Sequence, residues 1–194
     1  MCLKSKMRQL SDIEIIDSVH KGNKEDFALL VERYKDKAFN LLKRMLRNQM
    51  DAEEVLQDSF LKAFISLSNF RQESKFSTWF YRIVYNTGLS FLESKRKKNE
   101  LILDSIDDYR NLSYEDDKIY SLSDNSVEYL SKIIDKLPIR NALVFILYYI
   151  DELKLREISE IMDISLVNAK VLLYRSRNIL RDLILKHNYQ EELL

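Results

Sequence analysis

Asn69, Phe70, Arg71, Ser74, Lys75, Phe76 and Ser77 fall within one short polar stretch, SNFRQESKFST. Trp79, Arg82 and Asn86 follow closely, and Lys95-Arg96-Lys97-Lys98 closes the block. Rings that look exposed, interleaved with amide, hydroxyl and cationic groups, suit single-stranded nucleic acid, whose bases stack on rings while phosphates meet cations. The four consecutive cations would hold backbone phosphates, a contact that carries no sequence information. Trp79 reads either as a stacking platform or as core, and Phe76, Phe80 and Ile83 read as core. Covalent chemistry has no comparable support, because the chain shows neither a Gly-rich phosphate loop nor a nucleophile–base set. A single cysteine, Cys2, excludes an internal disulfide, and two histidines, His20 and His187, offer no metal cluster. No enzyme activity, metal or cofactor is expected.

Helices must position these residues. The segment DAEEVLQDSFLKAF reads as a helix with Asp51 as N-cap and Glu54 three residues on. Ala52, Val55, Leu56, Phe60, Ala63, Phe64 and Leu67 form its apolar stripe. Glu54, Gln57, Asp58 and Leu61 fall on a neighbouring strip, left for solvent or for something outside the core. Upstream, Ser11 and Glu14 form a capping box opening a helix that Gly22 ends. Phe27, Leu30, Val31, Tyr34, Ala38, Leu41, Leu42 and Met45 then mark a long amphipathic helix. Downstream, residues 99–128 hold nine carboxylates against Arg110 and Lys118, the composition of a flexible acidic linker.

Past that linker the helical pattern resumes. Pro138 can open the helix RNALVFILYYIDEL, in which Phe145, Leu147, Tyr148 and Ile150 read as core. The segment LKLREISEIMDISLVNAKVLLYRSRNILRDLI has helix-turn-helix spacing, with Ile158, Met162, Ile164, Ala169 and Leu172 apolar. Ser159 is small where two helices cross. Asp163 stands at the turn, where a left-handed residue is needed, and Ser165 can cap the second helix. Asn168, Lys170, Val171, Tyr174 and Arg175 are then available to a major groove, with Arg177 and Arg181 toward phosphates. A two-helix packing motif without nucleic acid remains the plain alternative.

The whole chain has 194 residues, two Gly and one Pro, a composition that favours an all-helical protein. MCLKSKMRQL lacks the apolar core of a secretion signal, and the longest apolar run, Ala142–Ile150, is too short for a bilayer. A cytoplasmic protein without membrane insertion is expected. The formal net charge is zero. Duplex binders usually carry a basic surplus, so neutrality predicts that DNA binding is weak alone or is unmasked by a partner.

DAEEVLQDSFLKAF followed by FRQESKFSTWFYRIVYNT resembles domain two of a bacterial RNA polymerase sigma factor of the small extracytoplasmic-function type, and Leu137 to Leu180 resembles domain four of the same sigma-70 family. The resemblance implies two small all-α domains, residues 11–98 and 127–187, joined by the acidic linker 99–126. It implies docking on core RNA polymerase through Glu54, Gln57, Asp58 and Leu61. It also implies contact with the minus-ten element of promoter DNA by Asn69, Phe70, Arg71, Ser74, Lys75, Phe76, Ser77, Trp79, Arg82, Asn86 and Lys95 to Lys98. Reading of the minus-thirty-five element would fall to Ser165, Asn168, Lys170, Val171, Tyr174, Arg175 and Arg177. A monomer when free and an inhibitory anti-sigma partner are further implications. The chain departs from the family pattern at Ser90, Glu93 and Leu172. A helix-turn-helix regulator acting without polymerase would leave the Asp51–Lys98 block unexplained, and a helical adaptor would leave both blocks so.

Overall fold

Ser11 opens the first helix as its composition predicts. Its hydroxyl accepts from the Glu14 amide, while the Glu14 carboxylate accepts from the Ser11 amide at 2.7 Å. These interactions with Ser11 hold the Glu14 carboxyl below its ordinary range. A computed structural model describes residues 10–100 and 132–191, with side chains described for 10–96 and 132–185. The expected linker lies outside the described residues from 101 onward.

The described helices run in the order α1 (Asp12–His20), α2 (Phe27–Leu46), α3 (Gln49–Ser66), α4 (Phe76–Glu100), α5 (Ile139–Tyr149), α6 (Leu155–Ile161) and α7 (Leu166–Glu191). Their ends follow from local chemistry. Gly22, at φ 103°, closes α1, and Arg47, left-handed at φ 53°, closes α2. Pro138 caps α5, where its missing amide costs nothing. Asp163 adopts the left-handed turn at φ 51°, and the Ser165 hydroxyl accepts from the Asn168 amide at 3.1 Å. One end differs from the sequence reading. The cap of α3 is Asn48, whose side chain accepts from the Asp51 amide, so Asp51 lies inside the first turn. There its carboxylate sits near the helix's positive end and pairs with Lys95 at 2.6 Å.

Helices α1 to α4 form one unit, with α2 packed on α3 and α4. Helices α5 to α7 form the second, with α7 against both α5 and α6. The two units also pack on each other, α4 against α6 and α2 against α5. One apolar cluster therefore runs from Ile15, Leu41 and Phe80 through to Leu143, Leu147, Ile158 and Leu173. Gly88 lets α4 approach α2 closely, since a Cβ there would lie 2.9 Å from Met45 Sδ. One core assignment is corrected: Ile150 is exposed, while Leu172 packs half-buried against the core beside fully buried Leu173.

Candidate nucleic-acid and docking surfaces

Along α3, the residues that the core does not claim make one exposed line. Glu54, Gln57, Asp58 and Leu61 are all exposed, as the stripe pattern requires. Met50 and Ile65, four residues before and after that line, extend it and are exposed as well. The sequence reading missed both, although their i, i+4 spacing from Glu54 and Leu61 would have found them. The line is apolar at both ends and carboxylate-bearing in the middle, a surface whose charges complement cationic side chains.

The loop ahead of α4 is only partly the open aromatic platform that the sequence suggests. Phe70 and Phe76 are buried, and Trp79 is half-buried between them at ring separations of 5.1 and 5.6 Å. Phe76 in turn stacks on Phe80 at 5.9 Å. The expected exposure of Phe70 is thus corrected: its ring is buried against those of Phe76 and Trp79. Around this aromatic floor, Asn69, Arg71, Lys75, Arg82 and Asn86 are exposed, and Ser74 and Ser77 are half-buried. Lys95 and Arg96 are exposed farther along α4, with the Lys95 ammonium 5.9 Å from the Phe91 ring centre. The side chains of Lys97 and Lys98 lie outside the described residues.

The second unit presents its helix-turn-helix beside this loop. Ser165, capping α7, and Asn168, Lys170, Val171, Tyr174, Arg175 and Arg177 on its front half are all exposed. Arg177 is held in place: its Nε donates to the Tyr149 hydroxyl at 2.7 Å, and its guanidinium lies over the Tyr148 and Tyr149 rings. Buried Asn141 on α5 anchors the back of α7, donating to the Leu172 carbonyl at 3.1 Å and to Ser176 Oγ at 3.3 Å.

Ion pairs join the two units across their seam. Lys75 meets Glu157 at 2.9 Å, Arg82 meets Asp163 at 4.0 Å, Lys37 meets Asp151 at 3.5 Å, and Arg44 meets Asp135. Burial alone would raise Glu157, but the Lys154 amide and the Lys75 ammonium outweigh it and hold the carboxyl below its ordinary range. Asp151 goes the other way. Its side chain is almost wholly buried, and that burial pushes its carboxyl up despite Lys37. Tyr81 is raised by its own burial first and by the nearby Asp151 charge second, its buried hydroxyl lying beside that carboxylate. Among the described residues no cluster of His, Cys, Asp or Glu could hold a metal ion, and no helix is long and apolar enough to cross a membrane.

Comparison with known proteins matches both units. Residues 30–98 match Sigma-70 region 2, and residues 127–180 match Sigma-70 region 4. The chain is 36% identical to the ECF RNA polymerase sigma factor SigW of Bacillus subtilis, over 86% of this chain and 92% of that protein. It is 32% identical to the ECF RNA polymerase sigma-E factor of Haemophilus influenzae, over 91% of this chain and 96% of that one. In fold it is similar to the sigma factor RpoE of Bartonella quintana, solved with the anti-sigma factor NepR. That likeness has a TM-score of 0.64 at 18% identity and covers 82% of this chain and 97% of that one.

Proposed function

The chain belongs to the ECF RNA polymerase sigma factors, and from that membership we propose that it docks on core RNA polymerase and directs it to promoters, opening the DNA there. The observation that carries the proposal is the pairing, in one chain, of the exposed α3 line with an exposed helix-turn-helix face. A regulator acting on DNA alone has no use for the first. Glu54, Gln57, Asp58 and Leu61, flanked by Met50 and Ile65, meet the polymerase. Asn69, Arg71, Ser74, Lys75, Ser77, Arg82 and Asn86 engage the minus-ten element around the ring of Trp79, and the basic end of α4 holds phosphates. Phe70 and Phe76 support that surface from beneath. The front of α7 enters the major groove of the minus-thirty-five element.

Opening needs no covalent chemistry. Binding of unstacked bases offsets the lost pairing and stacking, each step costing a few kcal/mol, which stacking on a ring plus hydrogen bonds can match. The protein acts in the cytoplasm, where its polymerase is, and an inhibitory partner of the anti-sigma kind covers these surfaces until a signal releases them.

Run-off transcription tests the proposal. Core polymerase on fragmented genomic DNA should produce defined new starts with the protein and lose them with a Glu54→Arg/Asp58→Arg variant. No new starts, together with tight duplex binding by the protein alone, would instead establish an independent regulator.

A further inference from the structure

The front of α7 carries an apolar stripe that the fold leaves uncovered. Val167 is 69% exposed, Val171 38% and Tyr174 65%. At about 100° per residue, positions i, i+4 and i+7 fall within roughly 60° of one another, so the three form one line along the helix. The same geometry puts Lys170 and Arg177 on one flank and Asn168 and Arg175 on the other. Lys170 and Arg175 are exposed and enter no ion pair among the described residues.

A contiguous apolar strip rimmed by polar and charged residues is the kind of surface that a binding partner covers. This one, with Lys170 and Arg177 on one flank and Arg175 beside Asn168 on the other, fits a groove with phosphates on both walls and an apolar group on its floor. In duplex DNA the major groove offers one such group, the 5-methyl of thymine. We infer that Val167 and Val171 read thymine methyl groups, so that this protein's upstream promoter element carries thymine, on either strand, beneath those two side chains. Val167 and Val171 are about 6 Å apart along the helix axis, which places the two thymines within about two base-pair steps. Tyr174, one turn farther on, covers the edge of the contact. The inference rests on the promoter-binding reading above and adds the base that the helix selects.

Deoxyuridine provides the test, because it differs from thymidine in duplex DNA by the methyl alone. A promoter recovered by run-off transcription would be rebuilt with each upstream thymine replaced in turn, and its binding by core polymerase carrying the full chain measured. Uracil at one or two positions should weaken binding about fourfold, the worth of one buried methyl. Val167→Ala and Val171→Ala should each bind the thymine and uracil templates alike at one of those positions, whereas Lys170→Ala should weaken both templates equally. Wild-type binding indifferent to every uracil overturns the inference while leaving the promoter reading intact. A uracil penalty unchanged in both valine variants overturns it as well. Absence of any start overturns both readings. If uracil is silent, and the free chain is a dimer that Val167→Asp/Val171→Asp converts to a monomer, the stripe belongs to a second copy.

Discussion

Lys75, in the loop before α4, places its ammonium 2.9 Å from the Glu157 carboxylate of α6, so a cation proposed for minus-ten DNA is held by the unit proposed for the minus-thirty-five element. Arg82 and Asp163 repeat the arrangement at 4.0 Å. Both cations are more than half exposed, so each pair contributes at most about 1 kcal/mol and is screened by salt. Glu157→Gln keeps an acceptor for the Lys154 amide but removes the charge. The free variant should bind a single-stranded oligonucleotide about threefold more tightly at low salt, the difference fading as salt rises. Identical affinities at low salt would show that the pair does not compete with nucleic acid.

Asp151 gives a prediction with a definite sign. Its carboxyl is raised by burial, so its contribution to folding is fully present below the ordinary value of 3.8 and is lost as pH rises through its folded value. At neutral pH the buried charge is therefore a cost that Lys37 does not fully offset. Asp151→Asn should not lower the thermal midpoint at pH 7, and wild type should gain on the variant as pH falls through the folded value of Asp151 toward 3.8. A variant clearly less stable at pH 7, with the same pH dependence, would mean that the Lys37 pair dominates.

Asn141 and Ser176 lock α7 onto α5 from inside, with Ser176 Oγ donating to the Asn141 carbonyl at 3.0 Å. Asn141→Ala leaves the Leu172 and Ser176 groups short of a buried partner and should cost about 1–3 kcal/mol in denaturant unfolding. A double-mutant cycle with Ser176→Ala should show coupling, since the two side chains share one network.

Gly88 separates size from helix propensity. Alanine there meets only the far ends of two flexible side chains, Met45 Sδ at 2.9 Å and Leu42 Cδ2 at 3.1 Å, and gains roughly 1 kcal/mol of propensity, so Gly88→Ala should be close to neutral. Gly88→Val adds two methyls beyond that carbon, against neighbours already at 2.9 and 3.1 Å from it, and should destabilise by about 1–3 kcal/mol. Thermal melts of the two variants side by side decide whether the α2–α4 crossing is as tight as described.

The features legible in the sequence are those set within one turn of chain. The Ser11–Glu14 box, the Gly22 stop, the Pro138 start, the Asp163 turn and the Ser165 cap all depend on neighbours three or four residues away. Asp51 was misread for a related reason. Asp and Asn both cap well, but the left-handed Arg47 ends α2 so late that only Asn48 remains extended to start α3. Phe70 lies outside any helical stripe and is buried by packing on Phe76 and Trp79, which periodicity does not report. The seam between the units was illegible altogether. Lys75 and Glu157 are 82 positions apart by their numbering, and nothing in the local pattern of either predicts the other. The exposed α3 line was read correctly because a stripe that faces inward defines the strip that cannot.

The apolar cluster shared by both units has a thermodynamic consequence for assembly. Leu143, Val144, Leu147 and Ile161 are buried together with residues of the first unit. If the units separate to engage polymerase and promoter, apolar surface returns to water, with a positive change in heat capacity. Docking buries other apolar surface and carries the opposite sign. Calorimetry of holoenzyme formation should then show a heat-capacity change smaller in magnitude than the docking interface alone implies. Temperature would shift the balance between the closed and assembled forms less than it shifts either contact by itself.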